Sequence, residues 1–130
     1  MPRDPLAVLL RLRGLEVLQA QRRLADRLSA LSQAEMRAQA ACDALREEGA
    51  GDAAELAAWL PRGLAERDRA AALRAQRAAS ADQARQAVAE ARIAQRATET
   101  LRAQRREEQR RSEERRNQAL LDAAGLRRCR

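Results

Sequence analysis

The chain has 130 residues, of which 35% are charged and 1% aromatic, and it contains no Phe, Tyr or His. A thick globular core is not expected, because large aromatic rings supply much of the buried area of compact domains. A composition rich in Ala, Arg, Glu, Gln and Leu and poor in Gly and Pro is typical of long helices or coiled coils. The formal net charge of +7 is carried by arginine alone. This positive charge either lies on a solvated helical face or attracts polyanions.

The expected location follows from hydropathy and cysteine usage. No stretch approaches the roughly twenty apolar residues that span a bilayer, and the segment from Met1 to Leu10 lacks the layout of a signal peptide. We therefore expect a cytoplasmic protein. Cys42 falls on an apolar helical stripe and Cys129 is the penultimate residue, so both cysteines are expected to be free thiols.

The residue types also restrict the chemistry. Without histidine, Ser–His and Cys–His nucleophile systems and histidine zinc sites are excluded, and without lysine so is a Walker-type phosphate loop. Carboxylate pairs such as Glu47 with Glu48 are sequence neighbours that point to different helix faces, so they cannot share a substrate. The sequence therefore predicts a protein that is not an enzyme and has no cofactor or metal site.

The first predicted element is a single amphipathic helix from Pro5 to about Glu48. Apolar residues recur in it at steps of three, four and seven, and no further proline interrupts it. At about 1.5 Å per residue this helix would be roughly 60 Å long. Its apolar stripe consists of Leu6, Leu10, Val17, Leu24, Leu28, Leu31, Ala38, Cys42 and Leu45.

A hairpin tip is predicted between Gly49 and Gly63. Glycine suits the left-handed conformation that often ends a helix, and Asp52 can cap the helix that follows. Pro61 fits the first turn of a helix far better than its interior. The second long helix is therefore predicted from about Pro61 to Ala124.

The second helix carries a weaker apolar stripe of mostly small residues, which can receive the leucines of the first helix. The short connection imposes antiparallel pairing, and a midpoint near residue 55 places Leu6 opposite roughly Gln104. The stretch 105–118 is then left unpaired, as a solvated helix with pairs such as Glu107 to Arg111. The stripe consists of Leu73, Ser80, Ala84, Ala87, Val88, Ala91, Ala94, Thr98 and Leu101.

These elements predict an all-α fold. Two long helices form an antiparallel coiled-coil hairpin, the second helix is longer than the first, and residues 1–130 make a single domain.

Three leucines near the start of the first helix lie off its apolar stripe. At about 100° per residue, Leu12, Leu15 and Leu18 point well away from the predicted seam, the line along which the apolar stripes of the two helices meet. They either form a docking patch, or cover the overhanging second helix or a third strand of an oligomer.

The large aromatic residue Trp59 lies beside Leu56 and Leu60 at the predicted tip. A two-helix rod has little core there to bury an indole. Trp59 therefore either contacts a partner or caps the last layer of the hairpin.

Three segments resemble a known family. The opening PLAVLLRLR, from Pro5 to Arg13, resembles the start of FliJ, the small coiled-coil component of the flagellar type III export apparatus. The segment LAAWLPR, from Leu56 to Arg62, resembles the tip of bacterial relatives. The ending LLD at 120–122, followed by Arg127 and Arg128, is similar to theirs. The injectisome counterpart, the YscO group, shares this layout.

The resemblance implies a stalk associated with an ATPase. The hairpin would be similar to the central stalk of rotary ATP synthases, with its terminal end in the pore of the hexameric export ATPase. It would lie in the cytoplasm, peripheral to the inner-membrane export apparatus. The other implied partners are the cytoplasmic domain of the export gate membrane protein and export chaperones. The implied ATPase-facing residues are Leu12, Leu15, Leu18, Leu120 and Leu121, and the tip or gate-facing residues are Leu56, Trp59, Leu60, Leu64 and Leu73.

Two alternatives to the export stalk stay open. One is a generic self-associating coiled-coil scaffold or adaptor, although such a scaffold should keep regular heptads along both helices. The other is a basic helical protein that binds nucleic acid through its arginine-rich tail. Against it, glutamates interleave with the arginines of that tail and no aromatic residue for base stacking lies nearby.

Overall fold

The computed structural model describes residues 4–129, which contain two α-helices, α1 (Pro5–Glu48) and α2 (Ala53–Arg128). The predicted all-α hairpin with a longer second helix is confirmed. Contacts divide the chain into two units. Unit 1 comprises Met1–Leu15 and Arg92–Arg130, and unit 2 comprises Glu16–Ala91.

Helix α1 begins at Pro5 because Asp4 caps it. The side-chain Oδ1 of Asp4 accepts a hydrogen bond from the backbone N–H of Leu6 at 3.0 Å. The carbonyl of Asp4 accepts from the N–H of Ala7 at 3.1 Å. Pro5 then occupies the first helical position, where its missing N–H leaves no bond unmade.

The connection between the helices is shorter than predicted, since it contains only the four residues 49–52. Asp52 caps α2 as predicted, accepting from the N–H of Ala54 at 3.5 Å and from that of Leu56 at 2.9 Å. The expectation of a left-handed glycine is wrong, because no described glycine has a positive φ. Instead the N–H of Gly51 bonds back to the carbonyl of Glu48 at 3.0 Å, which tightens the last turn.

The predicted start of the second helix at Pro61 is also wrong, because α2 begins at Ala53 and runs through the proline. The proline removes the hydrogen bond that its own nitrogen would donate, at a cost of about 3 kcal/mol. Apart from Gly63, the nearby residues are mainly alanine, leucine and arginine, which have high helix propensity, so the helix continues on both sides. Its far end is Arg128 rather than Ala124.

In unit 2 the two helices run antiparallel. Ala20 and Arg27 of α1 line one groove with residues of α2 that include Ser80 and Ala87. Ala38 and Cys42 line another with residues of α2 that include Ala71 and Ala75. As α1 advances, its neighbours on α2 therefore come earlier in the chain. The buried side chains of this unit are mainly small, and they are Val17, Ala20, Ala34, Ala70, Ala81 and Val88.

Small residues let the two helices of unit 2 approach closely. The predicted seam, in which leucines of α1 pack against small residues of α2, is therefore only partly correct. Val17 and Val88 are buried as predicted, but Leu28 and Ala87 are exposed. Ala81 is 0% exposed although it lay outside the predicted stripe. The closest packing therefore centres on alanine rather than on leucine.

In unit 1, α1 pairs with α2 close to the predicted register, which placed Leu6 opposite residue 104. Leu6 is buried and lines a groove with Arg102, Arg105 and Arg106, within a turn of the expected partner at 104. Thr98 is also buried, and its hydroxyl donates to the carbonyl of its own helix at Ala94 at 3.0 Å, so the polar side chain is satisfied. Leu101, by contrast, is exposed, which contradicts its place in the predicted stripe.

The predicted overhang is helical and mostly exposed. From residue 105 to residue 128 the described side chains are exposed, apart from Glu107 and Ser112, which are half-buried. In the register set by Leu6, the seam positions of this stretch are occupied by polar residues such as Arg105 and Gln109. Such a surface gives little reason for a further helix of this chain to pack on it.

Candidate interaction surface

The candidate site begins with an apolar stripe on the side of α1 that faces away from its buried residues. Val8 is 53% exposed, Leu12 50% and Leu15 57%. Their spacing of four and three residues places them in a row along one helix face, because a helix turns by about 100° per residue. We call Val8, Leu12 and Leu15 the outer stripe.

The outer stripe is not part of the seam. Leu6 and Val17 are both 8% exposed and mark the buried side of α1, and the helical angle places Leu12 and Leu15 nearly opposite them. The prediction that Leu12 and Leu15 stand off the seam is therefore confirmed. Leu18, which belongs to unit 2, is likewise exposed.

Three leucines near the end of α2 are a separate set that is spread around the helix. Leu120, Leu121 and Leu126 are all exposed. A Cβ placed on Gly14 would lie 3.9 Å from the Nε2 atom of Gln95, so that part of α1 is level with residue 95. At 1.5 Å per residue, Leu120 lies roughly 35 Å further along α2. The predicted ATPase-facing residues of unit 1 are therefore two groups, and their role stays a prediction.

Near the start of α2, Trp59 packs on its own helix. A Cβ built on Gly63 would lie 2.4 Å from two atoms of the Trp59 ring, so the indole occupies the space that a larger residue would need. Gly63 is consequently buried, while Trp59 is half-buried. This contact lies within α2, so it does not distinguish between a Trp59 that caps the hairpin and one that contacts a partner, and both alternatives stay predictions.

The other predicted tip residues are only partly grouped. Leu56 and Leu60 are four residues apart on α2, and Leu64 follows four residues later, so the three share one side of the helix. Leu56 and Leu64 are half-buried and Leu60 is exposed. Leu73 is half-buried and lies roughly 20 Å further along α2 than Leu60. The structure therefore separates Leu73 from the tip.

Charge pairs organise the overhang of α2. Glu107 accepts hydrogen bonds from Arg110 at 2.7 and 3.0 Å and from Arg111 at 2.9 Å, and Arg110 also pairs with Glu114. The hydrogen bonds from Arg110 and then Arg111 lower the pKa of Glu107 from 4.5 to about 2. Glu107 in turn raises the pKa of Arg110. The predicted Glu107 to Arg111 pair is confirmed.

A second ion pair joins the two helices of unit 1. The Nε of Arg102 donates to Oδ2 of Asp4 at 3.1 Å. Burial acts to raise the pKa of Asp4, but the hydrogen bond from Arg102 and those from the Leu6 and Ala7 amides outweigh it, so the pKa is lowered. Asp4 thus both caps α1 and ties it to α2.

The described residues hold no group of three or more His, Cys, Asp or Glu side chains arranged to bind a metal ion. Cys42 and Cys129 are free thiols. None of the helices, over residues 4–129, combines the length and apolar character needed to cross a membrane. No family model, curated protein or solved structure matches this chain.

Sequence reasoning missed two exposed apolar residues. Val8 belongs to the outer stripe, and its spacing of four residues from Leu12 was a readable signal. Leu126 is a further exposed leucine of α2, and its spacing of six and five residues from Leu120 and Leu121 gives no signal of a shared helix face. Both are visible in the sequence only after the seam has been assigned, because exposure is defined by what the seam leaves over.

Proposed function

We propose that this chain is a non-enzymatic coiled-coil component of a bacterial flagellar or type III protein export apparatus. It acts as a stalk that binds the hexameric export ATPase and links it to the export gate and to chaperones, in the cytoplasm beside the inner membrane. Two things support the proposal. Three segments of the sequence resemble FliJ, and the fold is the two-helix hairpin with a longer second helix that the resemblance implies.

The observation that carries the proposal is the outer stripe. A two-helix hairpin needs one apolar stripe on each helix, and α1 already supplies one with Leu6 and Val17. The outer stripe is a second apolar row, and nothing within the described part of the chain covers it. Contiguous exposed apolar residues on a small protein mark sites of interaction with other molecules. A binding role explains a surface that the hairpin itself does not require.

The spacing of the outer stripe indicates the kind of partner. Val8, Leu12 and Leu15 follow the alternating steps of four and three found in helices that pack against other helices or apolar walls. A pore lined by the subunits of an ATPase ring would offer such a wall to the end of a stalk. The tip, with Leu60 exposed and Trp59 half-buried, is the proposed contact with the export gate.

The test replaces Leu12 and Leu15 together by glutamine and measures binding to the export ATPase encoded in the same genome. Glutamine keeps helix propensity, so helicity and melting should stay within about 0.5 kcal/mol of the parent. Each lost apolar anchor costs roughly 1 to 2 kcal/mol in affinity, so the pair should weaken binding at least tenfold. Stimulation of ATP hydrolysis should fall in parallel.

The matched control is Ile93→Gln. Ile93 is also exposed in unit 1, but its helical neighbours at three and four residues are Glu90, Arg96 and two alanines, so it belongs to no apolar row. This variant should bind like the parent. Full binding by the Leu12 and Leu15 variant, or equal losses in both variants, contradicts the proposal.

The outer stripe also favours the scaffold alternative, since two copies of the chain could pair through it. Sedimentation velocity over a range of concentrations distinguishes the two functions. A dimer that the Leu12 and Leu15 replacements abolish, together with no affinity for the ATPase, would favour a self-associating scaffold.

A further inference from the structure

The net positive charge of the chain comes from unit 1. The residues of unit 1 include 15 arginines and seven acidic side chains, whereas those of unit 2 include 11 arginines and 12 acidic side chains. Unit 1 therefore has a formal charge of +8 and unit 2 of −1, which together give the +7 of the chain. A field of one sign on one unit attracts anionic partners to that unit.

Within unit 1, a groove of about 360 Å³ lies between the start of α1 and one face of α2. Pro5 and Leu6 supply its apolar side, and α2 supplies three arginines and an amide. We call this the arginine groove, and it is lined by Asp4, Pro5, Leu6, Arg102, Arg105, Arg106 and Gln109.

Two guanidinium groups of the arginine groove have no carboxylate partner among residues 4–129. Arg102 is paired with Asp4, but neither Arg105 nor Arg106 makes an ion pair or a side-chain hydrogen bond within the described part of the chain. The nearby Glu107 is engaged by Arg110 and Arg111. No described carboxylate therefore competes with an added anion for Arg105 and Arg106.

We infer that the arginine groove binds a carboxylate-bearing segment of a protein partner, in which acidic side chains stand beside apolar ones. One wall of the groove already shows this chemistry, because the carboxylate of Asp4 accepts a hydrogen bond from Arg102 beside the apolar side chains of Pro5 and Leu6. A guanidinium presents a planar fork that matches a carboxylate with two parallel hydrogen bonds. Arg105 and Arg106 offer two more such forks.

The surroundings of the groove favour a short acidic segment over a nucleic acid. Beyond Gln109, α2 interleaves its arginines with glutamates such as Glu113 and Glu114, and these would repel the phosphates of a long polyanion. The chain has no aromatic residue in this region on which bases could stack. This inference does not depend on the export function, since it follows from the groove and its charge.

The experiment measures fluorescence anisotropy with three labelled probes at low salt. They are a synthetic peptide of glutamate, leucine and alanine, the same peptide with glutamine in place of glutamate, and a single-stranded oligothymidylate of equal charge. The full chain should bind the glutamate peptide and not its glutamine counterpart. The paired change Arg105→Gln and Arg106→Gln should weaken that binding roughly tenfold, because two charge-assisted contacts are lost.

The matched control is the paired change Arg115→Gln and Arg116→Gln. Arg115 and Arg116 lie on the same exposed helix but outside the groove, and their replacement removes the same charge. The control should weaken binding less than about twofold, as expected for a screened distant charge. Equal losses in the two variants would show attraction by general charge alone and overturn the inference.

Three other outcomes would also overturn it. The first is that the full chain does not bind the glutamate peptide. The second is that the oligothymidylate binds more tightly than the glutamate peptide and that its binding depends on Arg105 and Arg106. If the glutamine pair lost helicity, Arg105→Lys with Arg106→Lys keeps the charge and the helix. Lysine has no planar fork, so binding should still weaken several-fold, and unchanged binding by the lysine variant is the third contradicting outcome.

Discussion

The most direct test of the fold is the substitution Ala81→Leu. Ala81 is 0% exposed, at a seam whose other buried side chains in unit 2 are alanine and valine. Leucine adds three carbon atoms, which would gain roughly 0.8 kcal/mol each if they were buried without strain. The seam offers no such space, so α1 and α2 must separate locally and the side chains packed around Ala81 lose contacts. Overpacking of this kind costs about 1 to 3 kcal/mol net.

Thermal melting followed by circular dichroism measures this cost. For a chain of this length each kcal/mol lowers the melting temperature by roughly 4 °C. Ala79→Leu is the control, because Ala79 is exposed on the same helix and the same change there should stay within about 0.5 kcal/mol. If Ala81→Leu melted at or above the parent temperature, the seam would not be closed around alanine as described.

Three further predictions concern other parts of the chain. Gly63→Ala should displace the indole of Trp59 and shift its fluorescence to longer wavelength, whereas Gly14→Ala, which meets only a distant side-chain atom, should leave the emission unchanged. An unshifted spectrum in Gly63→Ala would contradict the packing of the indole. The pKa of Glu107 is lowered from 4.5 to about 2, so its stabilising pairs are complete above pH 4.5 and are lost as the pH falls towards 2. Far-ultraviolet circular dichroism should show lower helicity in that acid range, and a flat profile would argue against the pairs. Backbone amides of 105–118 should exchange with solvent faster than those along the seam of α1, because charge pairs alone give a helix little protection. Equal protection would mean that this stretch has a partner.

Much of the fold could be predicted from the sequence, because helix formation and capping depend on residues close together in the chain. The spacing of Leu6 and Val17 indicates one long helix, and Asp52 caps the second helix as its position suggests. The short connection requires antiparallel pairing, which fixes the register of Leu6 near 104 to within a turn. The pair Glu107 with Arg111 is likewise a local consequence of helical spacing.

The candidate site was predictable only in part. Helical angles are enough to place Leu12 and Leu15 off the seam, but the predicted group that also contained Leu120 is divided by roughly 35 Å of helix. The arginine groove depends on Asp4 meeting Arg102 across the hairpin, 98 residues apart in sequence. Contacts at that separation depend on how α1 lies against α2, and the spacing of residues along one helix does not determine this placement.

The amino-acid sequence by itself determined that this chain forms two long helices in an antiparallel hairpin, with a longer second helix that carries an exposed polar stretch. Only the tertiary structure decided that Ala81 is fully buried while Ala87 is exposed, although both lie in the same alanine-rich helix. It also decided that Pro61 lies inside α2. The physical reason is that alanine and proline carry little information about their surroundings: helix propensity is nearly the same at every alanine, and burial depends on how closely the other helix approaches.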